Sequence, residues 1–170
     1  MVVGDVTSHK PQPTNHGRCT LPPVRVYLAA AMTNASRDPS AIQALVEHLE
    51  SQGHEVPTRH VADEAGREDD AAISDGELAR RDLAWLADCH ALVAEVSAPS
   101  HGVGIEVATA VALGIPVLLL YRAGTMVSRL LLGLAGTEAV AYADIPGANA
   151  LLLGFLSRVG AAPRVVSRGG

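Results

Sequence analysis

The stretch "ALVAEVSAPSHGVGIEVATAVALGIPVLLLYR", residues 91–122, decides the fold class. Its two ends, "ALVAEVS" and "PVLLLYR", are short and nearly continuous apolar runs of the kind that fill a sheet buried on both faces. Between them lies a segment that is Val, Ile, Ala and Leu almost all round, the composition of a buried helix. Strand, helix, strand in this order is a parallel crossover unit. The pattern continues outward. "VRVYLAAA" (24–31) reads as a central strand, and "DPSAIQALVEHLESQG" (38–53) as a helix with Pro39 at its start and Gly53 at its stop. Ile42, Leu45, Val46 and Leu49 share one face of that helix. "HEVPT" (54–58) reads as a short strand and "ELARRDLAWLADC" (77–89) as an amphipathic helix. "TMVSRLLLGLAG" gives a short apolar helix, "TEAVAYAD" a fifth strand and "ANALLLGFLSRV" a closing helix. The expectation is an α/β domain over residues 23–160, with five parallel strands covered by helices on both faces. Residues 1–22 and 161–170 read as tails, and the acidic "ADEAGREDDAAISDG" as a surface loop.

The chain has 170 residues, enough for one domain with a real core. A formal net charge of −5 without a basic block excludes a nucleic-acid backbone binder. Two cysteines, Cys19 and Cys89, make no disulfide framework, which points to a reducing cytosol and a cytoplasmic protein. No apolar run reaches the roughly 20 residues that span a bilayer, and the N-terminus lacks a signal-peptide pattern.

In open parallel sheets, ligands sit beyond the carboxyl ends of the strands. The segments to search are Tyr27–Asp38, Pro57–Asp63, Ser97–Glu106 and Arg122–Ser128. Glu106 stands out there, as an acid inside an apolar helix. A capping box does not explain it, because that needs the acid three residues after the cap and Glu106 is six after Ser100. A salt bridge to a neighbouring helix stays open as the bland reading. Gly102 and Gly104 let a ligand approach the helix N-terminus, where free amides suit an anion such as phosphate and Ser100 adds a hydroxyl. "GVGIEV" is a poor dinucleotide fingerprint, since Val107 stands at the third glycine and an acid would face the pyrophosphate.

A carboxylate beside an anion site suits chemistry at a carbon that becomes cationic, such as a sugar's anomeric carbon, and two carboxyl groups normally share that work. Asp82, at the edge of the packed side of its helix, is the candidate partner. His60, just after "HEVPT", could contact a base or relay a proton, against a purely structural role. The seven scattered histidines form no metal-ligand motif, so no metal is expected. Ser100 and His101 lack the strand–turn–helix elbow of a serine hydrolase.

The spaced residues of "RRDLAWLADCHALVAEVSAPSHGVGIE", with "VYLAAAMTNASRD", "VPTRHVADE" and "MVSRLLLGLAG" in order around them, resemble the 2′-deoxynucleoside 5′-monophosphate N-glycosidases. These are relatives of the nucleoside 2-deoxyribosyltransferases. The resemblance covers about residues 24–135. It implies a three-layer, doubly wound sheet of flavodoxin or Rossmann type, a homodimer, and cofactor-free hydrolysis of the bond between C1′ and the base. Glu106 matches the family's nucleophile and Asp82 the carboxylate that assists base departure. His60 falls near the base, and Tyr27 beside the sugar, where it disfavours a 2′-hydroxyl. Ser100, Gly102 and Gly104 match the 5′-phosphate site, and Ser128 a serine reaching that phosphate from the partner subunit. One departure stands out: the family's first loop offers a serine and an arginine to the phosphate, where this chain has Ala31 and Thr33. Asn34, Ser36 and Arg37 are the candidates to replace them. The rival readings are the same chemistry on a ribonucleotide such as CMP, transfer of the deoxyribosyl group to a second base, and a nucleotide-binding module without catalysis.

Overall fold

The structure is a computed structural model that describes residues 23–63, 68 and 70–161. The two tails read from the sequence, and Cys19, lie outside the described residues, except that the last helix runs one residue beyond the expected domain end. Four strands form one parallel sheet in the order β1 (Val26–Ala30), β2 (Ala91–Glu95), β3 (Val117–Arg122) and β4 (Thr137–Tyr142). Among the described residues they are accompanied by the helices α1 (Pro39–Ser51), α2 (Asp75–Ala87), α3 (His101–Ala112), α4 (Arg129–Leu132) and α5 (Ile145–Ala161). A single 3-10 turn spans Arg59–Ala62.

Alternation along the strands sorts the core into two clusters. Val26, Leu28 and Ala30 of β1 pack with Ile42, Leu45, Val46 and Leu49 of α1 and Leu152, Phe155 and Leu156 of α5. Tyr27 and Ala29 point the other way, to Leu86 of α2 and Val103, Val107 and Ala110 of α3. Period two in β1 thus sends odd and even residues to different helices. The helix ends follow local chemistry. Asp38 caps α1 by accepting from the Ala41 amide, with Pro39 in the first turn, and Gly53 turns the chain out at φ +84°. Ser74 and Glu77 close a capping box on α2, so the end of the acidic stretch read as loop is helix.

The short strand expected at "HEVPT", second of the five in chain order, is corrected to a single parallel bridge between Arg25 and Glu55. The reason lies in the next two residues. Pro57 has no N–H to donate, and Thr58 supplies a side chain where a strand would supply backbone. Its Oγ1 accepts from the Leu28 amide at 2.9 Å and donates to the Leu28 carbonyl at 2.8 Å. A buried hydroxyl thereby satisfies the edge of β1, and pairing stops after one bridge. This bridge lies on the edge of β1 opposite β2, because the Val26 amide turns to Glu55 while the Arg25 carbonyl turns to His90. The chain leaves β1 on one side and returns to β2 on the other. The crevice between the carboxyl ends of β1 and β2 is therefore the topological switch point, where ligands collect in open α/β sheets.

A polar lattice braces these carboxyl ends. Glu95, buried at the end of β2, accepts from the Ser97 hydroxyl and, at 3.0 Å, from the Tyr142 hydroxyl of β4. The Ser97 hydroxyl also accepts from the Arg122 amide at 2.8 Å, and the Arg122 guanidinium pairs with Asp38 at 2.6 Å. The ends of β2, β3 and β4 and the N-cap of α1 are thus tied together by side chains. Among the described residues, no helix is long and apolar enough to cross a membrane.

Candidate active site

Tyr27 and Glu106 meet between β1 and α3, on the face of the sheet that α3 covers. The buried Tyr27 hydroxyl donates to Glu106 Oε1 at 2.6 Å, joining β1 to the second turn of α3. Glu106 forms no ion pair among the described residues, so a phenol, not a neighbouring helix's basic residue, answers its burial. Burial pushes the Glu106 carboxyl above the usual range, the Tyr27 hydrogen bond opposes that rise, and the Asp82 charge adds to it. The Tyr27 hydroxyl is raised too, by burial first and then by the Glu106 charge, with Asp82 contributing. It stays protonated and remains a donor. Asp82 acts on both groups through its charge, while its own hydrogen bonds among the described residues go to Arg81.

Ser100, Gly102, Gly104 and Ser128 fall together in a second place. They line a cavity of about 1080 Å³ at the N-terminus of α3, with Ala31, Thr33 and Asn34 of the first loop. Glu106 and Tyr27 are not on its wall; they stand on the other flank of the same two helical turns. Ser100 is the N-cap of α3, its Oγ accepting from the Val103 amide at 3.3 Å. The His101 and Gly102 amides, which a helix leaves without an intrahelical acceptor, remain for a ligand. Over Gly104 a side chain would meet open space, so packing within the chain does not require glycine there. Ser128 caps no backbone amide with its side chain, and it lines the cavity within one chain. Around it, Ile105, Met126 and Leu130 form an exposed apolar wall.

The first loop holds no free cation for this cavity. Arg37 turns away and donates to the Val61 carbonyl at 2.6 Å. Ser36 donates to Asn34 Oδ1, and Asn34 Nδ2 donates to the Pro99 carbonyl at 2.9 Å. Asn34 therefore bolts the first loop to the segment before α3, and the cavity wall contains neither Lys nor Arg.

His60 is placed apart from both groups' hydrogen bonds. Its ring meets Trp85 edge-on at 5.6 Å between centroids, and its Nε2 lies 3.9 Å from Asp70 Oδ1. Asp70 and Arg81 were not singled out by sequence reasoning. Asp70 sits in the acidic stretch read as solvated surface, and nothing local distinguishes it from its acidic neighbours. Among the described residues, no three His, Cys, Asp or Glu side chains gather as a metal site.

A parallel α/β sheet with an anion-ready helix end at its switch point, and a half-buried carboxylate in the second turn of that helix, defines a small-ligand domain of the nucleotide-handling kind. The chain belongs to the nucleoside 2-deoxyribosyltransferase family, whose profile matches residues 26–145. It is 40 % identical over 119 residues to the mouse (Mus musculus) 5-hydroxymethyl-dUMP N-hydrolase, covering 68 % of each chain. It is 34 % identical over 122 residues to a Methanococcoides burtonii protein with the provisional name 2′-deoxynucleoside 5′-phosphate N-hydrolase 1, covering 72 % of this chain and 95 % of that one. The solved CMP N-glycosidase of Clostridium botulinum shares the fold, with a TM-score of 0.59 at 24 % identity over 77 % of this chain and 98 % of that one.

Proposed function

We propose that this protein hydrolyses the N-glycosidic bond of a 2′-deoxynucleoside 5′-monophosphate, releasing the free base and deoxyribose 5-phosphate. The observation that carries the reading is the 2.6 Å hydrogen bond from Tyr27 to Glu106 between β1 and α3, and the Asp82 charge, which raises both groups, is consistent with it. Glu106 attacks C1′ as the bond to the base breaks, and the base leaves with the electron pair, assisted by Asp82. Water then cleaves the glycosyl ester and returns Glu106 to its carboxylate. Tyr27 and the N-terminal end of α3 offset the burial that works against an ionised Glu106. Tyr27 also crowds the sugar's 2′ position, which favours the deoxy substrate. The α3 amides, Ser100, Gly102 and Gly104 take the 5′-phosphate, and His60 lies toward the base. The names of the mouse and archaeal relatives support the reaction class.

The protein works as a homodimer in this account, with Ser128 reaching the partner's phosphate site. The exposed Ile105, Met126 and Leu130 beside Ser128 support that, being an apolar surface suited to burial by a second copy. The test is a panel of ribo- and deoxynucleotides, with and without 5′-phosphate, scored for released base. Deoxynucleotide turnover is expected. A clear CMP preference overturns the deoxy assignment, a new nucleoside formed with an added acceptor base marks a transferase, and tight binding without base release marks a binding module.

A further inference from the structure

Arg81 precedes Asp82 on α2, and neighbouring helical residues do not normally face each other. Here they do. Arg81 Nε and a terminal nitrogen both donate to Asp82 Oδ1, at 2.9 and 2.8 Å. The same terminal nitrogen donates to Asp70 Oδ1 at 2.7 Å, and the guanidinium carbon lies 4.6 Å from the centroid of the Trp85 ring. Asp70 and Trp85 thus hold the guanidinium from two sides, which lets it bend back onto the adjacent carboxylate. Arg81, Asp82 and Asp70 are all mostly buried side chains, so the geometry is not that of a loose surface pair. Among the described residues, Asp82 Oδ2 takes part in no hydrogen bond.

We propose that Arg81 is a positioning residue for this reaction: it saturates Asp82 Oδ1 and presents Oδ2 as the oxygen that meets the departing base. The proposal rests on the two-carboxylate reading above. Two donors of one planar guanidinium on a single oxygen fill the acceptor sites of Oδ1 and leave Oδ2 open, a geometry that a lysine's point charge does not impose. Asp70 belongs to the device as the outer anchor of the fork, which gives this acid a role although it lies outside hydrogen-bond reach of Tyr27 and Glu106.

The test uses the full chain with the deoxynucleotide it turns over, comparing wild type, Arg81→Met, Arg81→Lys and Asp70→Asn. Methionine keeps the packing against Trp85 and removes the fork. The expected result is a kcat lower by about 10- to 100-fold for Arg81→Met, since small misplacements of a reacting group cost that much, with KM within about threefold. Arg81→Lys and Asp70→Asn fall between that variant and wild type, and added guanidinium ion restores part of the Arg81→Met rate at concentrations that leave the fold intact. Wild-type kcat in Arg81→Met overturns the proposal. So does a loss that tracks Tm and is not rescued by guanidinium, which marks a purely structural tie. Asp70→Asn with unchanged kcat contradicts the anchor even where Arg81→Met fails to fold. A wild-type protein that releases no base from any nucleotide is a different outcome, and it removes the proposed function itself.

Discussion

Tyr27→Phe isolates one hydroxyl. The ring stays in its packing between β1 and α3, and only the 2.6 Å hydrogen bond to Glu106 is lost. Glu106 must be ionised to attack, and its carboxyl already stands above the usual range because it is buried. The Tyr27 hydrogen bond opposes this rise, so deleting it drives the carboxyl higher still. A hydrogen bond to a charged group is worth about 1.5–3 kcal/mol, and about 1.4 kcal/mol corresponds to one pH unit. The acid limb of the kcat/KM profile should therefore move to higher pH by about 1 to 2 units. Activity falls as pH drops through the Glu106 value, so at a fixed mildly acidic pH the variant loses more than at alkaline pH. The assay is base release across pH with Tyr27→Phe and wild type side by side. An acid limb that stays in place while the rate falls uniformly refutes the claim that Tyr27 holds Glu106 in its charged form.

Two further outcomes concern the fold that carries the site. Thr58→Val strands the Leu28 amide and carbonyl at a buried edge, and two unpaired backbone groups at about 1–3 kcal/mol each predict a loss of about 2–6 kcal/mol in denaturant unfolding. The second outcome involves His54, whose Nδ1 accepts from the Val24 amide at 3.2 Å while its Nε2 is buried without a partner among the described residues. Burial, and then the nearby His48, hold it below the ordinary histidine value, so the unfolded chain binds more protons in that window. Its contribution is intact above about pH 6.5, the ordinary value, and fades as pH falls toward the depressed one. His54→Gln should flatten the slope of stability against pH just below 6.5, and an unchanged slope contradicts the assignment.

Local patterns carried most of the architecture. The four-residue spacings of α1, Pro39 and Gly53 at its ends, and the apolar runs of β1, β2 and β3 each depend on near neighbours, and each element formed where that chemistry placed it. The strand read at "HEVPT" failed on a long-range fact: Thr58 bonds Leu28, 30 residues away, in place of a backbone ladder. The site divides in the same way. Glu106 was legible as an expensive acid in an apolar helix, and Ser100 as a cap, because both stand out against their own segment. Tyr27 as the donor to Glu106 is a contact across 79 residues, which spacing cannot reveal. Asp70 and Arg81 were hidden for a different reason. They lie in charged segments where solvation is the ordinary fate, and what turns them inward is the Arg81–Asp70 bond, which joins α2 to the acidic stretch before it. The altered first loop was legible at Ala31 and Thr33, but the turning away of Arg37 toward Val61 was not.

The central claim is that Glu106 is the group that attacks C1′, and Glu106→Gln addresses it most directly. Glutamine keeps the size and an acceptor for the Tyr27 hydroxyl while removing the nucleophile. Because the native carboxyl is raised by burial, the charge works against folding at neutral pH, so the variant should be at least as thermally stable as wild type. The measurement is single-turnover base release from the best deoxynucleotide substrate, with Tm recorded on the same preparations. The account predicts near-complete loss of base release in a folded protein whose Tm is equal to or above that of wild type. Near-normal release by folded Glu106→Gln contradicts it.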